Sequence, residues 1–124
     1  VDAQGEDYRE EIKGRSAGVV IGDRALKQRL KSKYIYDLGE AWLKHTGLPF
    51  VFAAWIANKD LPAPFVSAFN EANALGLQQM EDVIKENPYD AYDLSRYYHH
   101  NISYQLDDQK KKGLKLFLEK LRSQ

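Results

Sequence analysis

The sequence predicts an α/β fold with a mostly parallel sheet and a helical C-terminal part. Two segments indicate strands: a short β-branched run at 17–22, and eight consecutive apolar residues from Phe50 to Ala57. Neither run alternates apolar with polar side chains, which is typical of strands buried on both faces. After Pro64, apolar residues recur at helical spacing, which predicts helices to the end of the chain.

The first half of the chain is expected to alternate strands with short helices. The run at 17–22 ends in Gly-Asp, which predicts a turn after the first strand. A short helix is predicted over Arg24 to Lys33, because two leucines four residues apart give it one apolar stripe. Residues 33–36 predict a second short strand, and residues 50–57 a third, interior one.

The best-defined helix is predicted from Leu38 to Thr46. Asp37 precedes it as an N-cap, and Glu40 stands three residues later, which is the spacing of a capping box. Gly47 suits the left-handed conformation that ends many helices, and a proline follows two residues later. The sequence therefore predicts both ends of this helix.

Three more helices are predicted after Pro64, and the first of them should end before Asn87. Gly76 lies on its apolar face, so we expect another backbone to approach closely there and offset the low helix propensity of glycine. Asp107 and Asp108 open the last helix. The apolar positions that define the three helices are Phe65, Phe69, Ala72, Gly76, Met80 and Val83; then Leu94, Tyr97, Tyr98 and Ile102; then Leu114, Phe117, Leu118 and Leu121.

Composition excludes several classes of protein. The longest apolar run has eight residues, whereas a membrane span needs about 20. The chain has no cysteine, which excludes a disulfide scaffold and favours a cytoplasmic protein. Its 18 basic and 18 acidic side chains balance, so a nucleic-acid partner is disfavoured. The first seventeen residues lack the apolar core of a signal peptide.

Common catalytic and metal motifs are missing from the sequence. None of the six serines stands in a strand-to-helix elbow of the Gly-x-Ser-x-Gly kind. The three histidines are His45, His99 and His100, and the adjacent pair projects about 100° apart on a helix, so joint metal binding is disfavoured. We therefore expect no metal, and the residue pattern assigns no catalytic acid or base.

Two places remain where a ligand could bind. Gly22 and Asp23 follow a predicted buried strand, and open α/β sheets bind ligands beyond the carboxyl ends of their strands; a simple N-cap is the alternative role for the aspartate. Phe50, Phe52 and Trp55 lie in the predicted interior strand, where they either line an apolar pocket for a planar ring or pack in the core.

Three blocks of the sequence are distinctive: VIGDRAL at 20–26, YDLGEAW at 36–42 and TGLPFVFAAW at 46–55. Together they resemble consecutive blocks of the menaquinone-biosynthesis solute-binding-like enzymes of the futalosine route. Within that family the third block is similar to the chorismate dehydratases, whereas the sister enzymes that form 1,4-dihydroxy-6-naphthoate have a less aromatic version. The resemblance covers nearly the whole chain.

The resemblance implies a fold like the type II periplasmic binding proteins, with two α/β lobes and the ligand between them. Residues 1–49 would belong to the second lobe, 50–60 would be the strand crossing back to the first lobe, and 61–124 would be helices that pack on the first lobe. Members of the family also have an upstream half, so the chain is expected to correspond to the C-terminal half and to be inactive alone.

The resemblance implies a lyase that converts chorismate to 3-[(1-carboxyvinyl)oxy]benzoate without a cofactor. The expected substrate-binding residues are Gly22, Asp23, Phe50, Phe52 and Trp55. The expected partners are chorismate and either a complementing N-terminal half or a second, swapped copy of the chain, with no nucleic acid and no membrane. Two alternatives remain open: a non-catalytic module that binds an aromatic carboxylate, and the sister lyase that forms 1,4-dihydroxy-6-naphthoate.

Overall fold

A computed structural model describes residues 12–123 of the chain. These residues form two compact units: the first contains residues up to Ile35 together with Tyr89–Asp93, and the second contains residues 36–88 and those from Leu94 on. The helices are α1 (Asp23–Arg29), α2 (Leu38–Thr46), α3 (Ala63–Gln78), α4 (Met80–Glu86), α5 (Leu94–Arg96), which continues as a π-helical turn (Tyr97–Asn101), and α6 (Asp108–Arg122).

Helix α2 is confirmed at both predicted ends. The Asp37 side chain accepts a hydrogen bond of 2.9 Å from the backbone N–H of Glu40, which supplies one arm of the capping box. The Glu40 carboxylate does not return this bond but lies 2.6 Å from the ammonium of Lys44. At the other end Gly47 has a φ of 71° and donates its N–H to the carbonyl of Leu43 at 2.8 Å.

The long helix predicted after Pro64 is two helices, α3 and α4. The break falls at Gln79, whose φ and ψ are −102° and 24°, and the predicted end before Asn87 is confirmed. The prediction that another backbone approaches Gly76 closely is wrong for the described part of the chain. A Cβ atom added at Gly76 would meet no atom within 4 Å, so this glycine lies against open space.

The last two predicted helices differ in how well the sequence anticipated them. Helix α6 opens as predicted, because Asp107 caps it by accepting the backbone N–H of Lys110 at 2.9 Å. The helix predicted through Leu94 and Ile102 has only three α-helical residues before the chain widens into the π-helical turn. Ile102 follows that turn in an extended conformation, with φ −115° and ψ 142°.

No sheet forms among residues 12–123, so the three predicted strands are not confirmed there. The segments 17–22, 33–36 and 50–57 have no regular secondary structure. A strand exists only where a second backbone pairs with its N–H and C=O groups. No backbone of the described residues pairs with any of the three segments in a ladder. The α/β class and the division into lobes at 49 and 60 stay predictions.

Both units have little buried surface. Among residues 12–123 only Gly113 is fully buried, and no described hydrophobic side chain is fully enclosed. The second unit is held by half-buried aromatic side chains between α2 and α6.

Among residues 12–123 no helix is both long and apolar enough to cross a membrane.

Candidate functional site

Gly22 forms the turn that leads into α1. Its φ of 66° and ψ of −152° lie in a region that is essentially restricted to glycine. The carbonyl of Gly22 accepts the N–H of Ala25 at 2.9 Å, which closes the first turn of the helix. Gly22 is thus the N-cap residue, and Asp23 is the first residue inside the helix.

Asp23 has its carboxylate free of described partners. The side chain is exposed and caps no backbone N–H, so the simple N-cap role does not hold. Its carbonyl oxygen accepts a hydrogen bond of 2.9 Å from the hydroxyl of Tyr89. The ammonium of Lys27 lies 5.6 Å from the centre of the Tyr89 ring, within cation–π range. Tyr89 therefore ties the start of α1 to the 89–93 segment and leaves the carboxylate of Asp23 available.

Phe50 lies at the centre of an aromatic cluster in the second unit. Its ring centroid is 5.7 Å from that of Trp42, 4.9 Å from that of Phe117 and 4.8 Å from that of Phe52. All three pairs are edge-to-face, which aromatic quadrupoles favour. Phe50 is half-buried, so its ring joins α2 and α6 and has a structural role.

Phe52 and Trp55 expose their rings more than Phe50 does. Phe52 is 76% exposed and Trp55 is 82% exposed. The edge of the Phe52 ring lies against Gly39, where an added Cβ atom would come within 2.8 Å of Phe52 Cζ. Trp55 meets Phe69 of α3 edge-to-face at 5.4 Å. These two rings present an open aromatic surface.

The predicted site residues divide between the two units. Gly22 and Asp23 belong to the first unit, and Phe50, Phe52 and Trp55 belong to the second. Within the second unit Phe50 and Phe52 are in contact, whereas Trp55 contacts Phe69 instead. A shared substrate site for the five residues stays a prediction.

A polar cluster that the sequence does not predict lies between α4 and the π-helical turn. Nε2 of His99 lies 2.8 Å from Oε1 of Glu81, and the hydroxyl of Ser95 donates to the same oxygen at 3.1 Å. These contacts lower the pKa of Glu81 from its ordinary value of 4.5, His99 contributing most. Glu81 and His99 are 18 residues apart, so no local spacing signals their contact.

A cavity of about 340 Å³ opens beside this cluster. It is lined by apolar side chains of α3 and α4 and by polar side chains of residues 98–107, including His99 and Tyr104. Burial, and then the neighbouring Tyr98 and Tyr97, raise the pKa of Tyr104 above its ordinary value of 10.0. The cavity is therefore amphipathic and adjoins a partly desolvated phenol.

Lys110 fastens the loop that forms one wall of this cavity. Its ammonium donates to the hydroxyl of Ser103 at 2.7 Å and to the Ser103 carbonyl at 3.2 Å, and it also bonds the carbonyl of Gln105. The Lys110 side chain is only 13% exposed. An ammonium has three donors, and this loop accepts from all of them.

Within residues 12–123 no group of three or more His, Cys, Asp or Glu side chains is placed to hold a metal ion.

Comparison with known proteins relates almost the whole chain to one family. A family described as "Menaquinone biosynthesis" matches residues 3–123. The chain belongs to this menaquinone biosynthesis family. Its membership agrees with the resemblance carried by the three sequence blocks at 20–26, 36–42 and 46–55.

Two curated relatives of this menaquinone biosynthesis chain are named chorismate dehydratase. The protein of Thermus thermophilus is 33% identical over an alignment of 129 positions, which covers 83% of this chain and 46% of the relative. The protein of Campylobacter jejuni is 34% identical over 106 residues, covering 82% of this chain and 47% of the relative. The chain thus spans about half the length of these relatives. No solved structure matches it.

The contacts of Glu81 predict how the free energy of unfolding changes at acidic pH. A carboxyl group whose pKa is lower in the folded than in the unfolded state stabilises the fold at pH values above its unfolded-state pKa. That contribution is lost as the pH falls through the folded-state pKa. The pKa of Glu81 is lowered. We therefore expect the stability advantage of the parent over Glu81→Gln to shrink below about pH 4.5.

Urea unfolding followed by helical circular dichroism, repeated between pH 3 and 7, would measure this difference. Glu86→Gln is the matched control, because Glu86 is an exposed acid of the same helix. The difference in unfolding free energy between Glu86→Gln and the parent should change less as the pH is lowered. An equal pH dependence in both variants would contradict a specific contribution of Glu81.

Proposed function

We propose that this chain forms part of a lyase that dehydrates chorismate to 3-[(1-carboxyvinyl)oxy]benzoate in menaquinone biosynthesis. The observation that carries the proposal is the match of over four-fifths of the chain to two relatives named chorismate dehydratase. Membership in the menaquinone biosynthesis family supports the same pathway. The sequence blocks at 20–26, 36–42 and 46–55 favour the futalosine route, and the absence of cysteine favours a cytoplasmic enzyme.

The proposed reaction is an elimination without net redox change. The ring loses one hydrogen as a proton and its hydroxyl group with the bonding electron pair, and the two leave together as water. The electrons of the broken C–H bond complete the aromatic ring of the product. The enzyme then has to orient the ring, accept the proton and assist the departing hydroxyl. Because aromatisation drives the step, no cofactor is required.

Asp23 is proposed to hydrogen-bond the substrate hydroxyl. Its exposed carboxylate caps no helix and is bonded by no described residue. Gly22 supports this role, because its glycine-specific conformation presents the start of α1 without a side chain. These observations support Asp23 as a substrate ligand, and they separate it from the ordinary capping aspartates Asp37 and Asp107.

The aromatic residues are proposed to contact the planar ring of the substrate. Phe52 and Trp55 are the stronger candidates, because their rings are exposed. Phe50 is proposed to support Phe52 from behind, since the two rings are in edge-to-face contact. The proposed roles of the three aromatic residues therefore differ: Phe52 and Trp55 face the ligand, and Phe50 holds Phe52 in place.

The active enzyme is proposed to have a two-lobed, binding-protein-like α/β fold that this chain builds with an N-terminal half. Three segments with strand character, 17–22, 33–36 and 50–57, find no ladder partner among residues 12–123. Strands supplied by the rest of the polypeptide would pair with them. In this arrangement residues 1–49 would belong to the second lobe, 50–60 would cross back to the first lobe, and 61–124 would be helices that pack on the first lobe.

A reconstitution assay tests this proposal. The chain is incubated with chorismate, alone and mixed with the N-terminal half of a family member, and the aromatic product is followed by chromatography. We expect no product from the chain alone and product from the mixture. Asp23→Asn should lower product formation by at least tenfold, whereas Asp60→Asn, at another exposed aspartate, should leave it unchanged.

The other outcomes distinguish the alternatives. Calorimetric binding of chorismate without product would favour the non-catalytic binding module. Turnover of a cyclic futalosine derivative instead of chorismate would favour the sister lyase. Full activity of Asp23→Asn in the reconstituted enzyme would remove that residue from the site.

A further inference from the structure

Asp23 and Lys27 stand four residues apart in α1, with the acid on the N-terminal side. Side chains at this spacing share one face of a helix, and this order favours an ion pair. The same order in α2 produces one, because the ammonium of Lys44 lies 2.6 Å from the carboxylate of Glu40. In α1 no ion pair joins the two side chains, and neither pairs with another charge of residues 12–123.

Tyr89 holds the two charges of α1 apart. Its hydroxyl donates to the backbone carbonyl of Asp23 at 2.9 Å, and the centre of its ring lies 5.6 Å from the ammonium of Lys27. The face of a tyrosine ring attracts a cation, so the ammonium lies over the ring and not against the carboxylate one turn away. All three residues belong to the first unit. The result is a hydrogen-bond acceptor and a cationic donor on one helix face, both available to a ligand.

A cavity of about 460 Å³ opens beside Lys27. This volume is in the usual range for small-molecule sites. The charged residues that line the cavity are Lys27, Lys31 and Asp90, so positive charge is in excess there. The cavity therefore favours an anionic group.

The proposed substrate carries such a group next to the hydroxyl that it loses. Chorismate has two carboxylates, one on the ring and one on the carboxyvinyl ether. The ether and the departing hydroxyl are on adjacent ring carbons, so the ether carboxylate lies near that hydroxyl. Helix positions i and i+4 place their Cβ atoms about 5–6 Å apart, which suits two neighbouring groups of one ligand. Asp23 offers an acceptor for the hydroxyl, and Lys27 offers a cation for the carboxylate.

We propose that Lys27 binds the ether carboxylate of chorismate while Asp23 binds the adjacent hydroxyl. The inference rests on the proposed dehydratase function and adds to it a residue that selects for the charge of the substrate. Hydrogen bonds between an ammonium and a carboxylate are among the stronger ones in proteins. Lys27 transfers no proton in this role, so it acts on substrate binding and not on the chemical step.

Lys27→Met in the reconstituted enzyme tests this role. The variant should raise KM for chorismate at least tenfold, because a charge-assisted hydrogen bond is lost, and it should leave kcat nearly unchanged. Lys27→Arg keeps the charge and should keep most of the affinity. Lys33→Met is the matched control, because Lys33 also lies over a tyrosine ring, 5.3 Å from the centre of Tyr34, but outside α1. Its KM should equal that of the parent.

Two stable ligands identify the carboxylate that Lys27 binds. Calorimetry on the reconstituted enzyme compares the product, 3-[(1-carboxyvinyl)oxy]benzoate, with 3-ethoxybenzoate, which keeps the ring carboxylate and lacks the other one. Lys27→Met should weaken binding of the product at least tenfold and leave binding of 3-ethoxybenzoate nearly unchanged. Equal weakening of both ligands would place Lys27 at the ring carboxylate and overturn the proposal.

The outcomes separate the role of Lys27 from the dehydratase function. Binding that depends on Lys27 in a parent that forms no product would support the role and contradict the function. Product formation with parent values of KM and of product affinity in Lys27→Met would overturn the role and leave the function standing. If light scattering showed that Lys27→Met fails to assemble with the N-terminal half while Lys33→Met assembles, Lys27 would belong to the interface between the halves, which would also overturn its role as a ligand contact.

Discussion

Replacing Gly113 by alanine is expected to destabilise the second unit by about 2 kcal/mol. Gly113 is the one residue of 12–123 that is fully buried. A Cβ atom added there would collide with the carbonyl oxygen of Pro49 and lie 3.6 Å from the Cβ of Leu48. The obstacle is backbone, which cannot rotate away like a side chain, so α6 must move off the 48–49 segment. Urea unfolding monitored by helical circular dichroism measures the loss.

Gly76→Ala is the matched control, because Gly76 also lies in a helix but meets no atom within 4 Å. Alanine is preferred over glycine inside helices by about 1 kcal/mol, so this variant should be as stable as the parent or more stable. The same preference acts at Gly113, where the collision should outweigh it. A stable Gly113→Ala variant would show that α6 does not pack on Pro49 this closely.

Replacing Phe50 by alanine is expected to cost about 3 kcal/mol of unfolding free energy. The ring contacts three other aromatic rings, those of Trp42, Phe52 and Phe117. Its removal takes away all three edge-to-face contacts and leaves a gap between α2 and α6. We place the cost at the low end for a phenylalanine because the side chain is only half-buried. Thermal and urea unfolding would both report it.

Trp55→Ala is the comparison for Phe50→Ala, because Trp55 is a larger ring that is 82% exposed. Its contact in the aromatic network is with Phe69, so we expect a loss below about 1 kcal/mol. In the proposed reconstituted enzyme, Trp55→Ala should raise KM for chorismate while leaving the free energy of unfolding nearly unchanged. If Trp55→Ala were the more destabilising variant, Trp55 would be a core residue and not a ligand contact.

Local signals in the sequence predicted the helices whose ends are set by nearby residues. Helix α2 has its predicted bounds because Asp37 and Gly47 act through hydrogen bonds that span three or four residues. Helix α6 begins as predicted for the same reason at Asp107. The π-helical turn at 97–101 and the break at Gln79 were not predicted, because no capping residue, glycine or proline marks them.

The sequence names candidate site residues, and the structure shows their surroundings. The sequence singled out Gly22 and Asp23, and the structure gives Gly22 a glycine-specific conformation and leaves the Asp23 carboxylate unbonded by described residues. Phe50, Phe52 and Trp55 were grouped because they are close in sequence, yet their environments differ. Phe50 packs among three rings, whereas Trp55 is largely exposed. The contact of Glu81 with His99 joins residues distant in sequence and had no sequence signal.

The sequence alone determined the family, the capped helices and the apolar character of segment 50–57, because each depends on residue type and local spacing. Only the tertiary structure decided which aromatic rings pack together, that Gly113 rather than Gly76 meets another backbone, and that segment 51–57 has no strand partner within residues 12–123. Strand pairing and ring packing join residues far apart in the chain, so their energies depend on neighbours that local spacing does not specify.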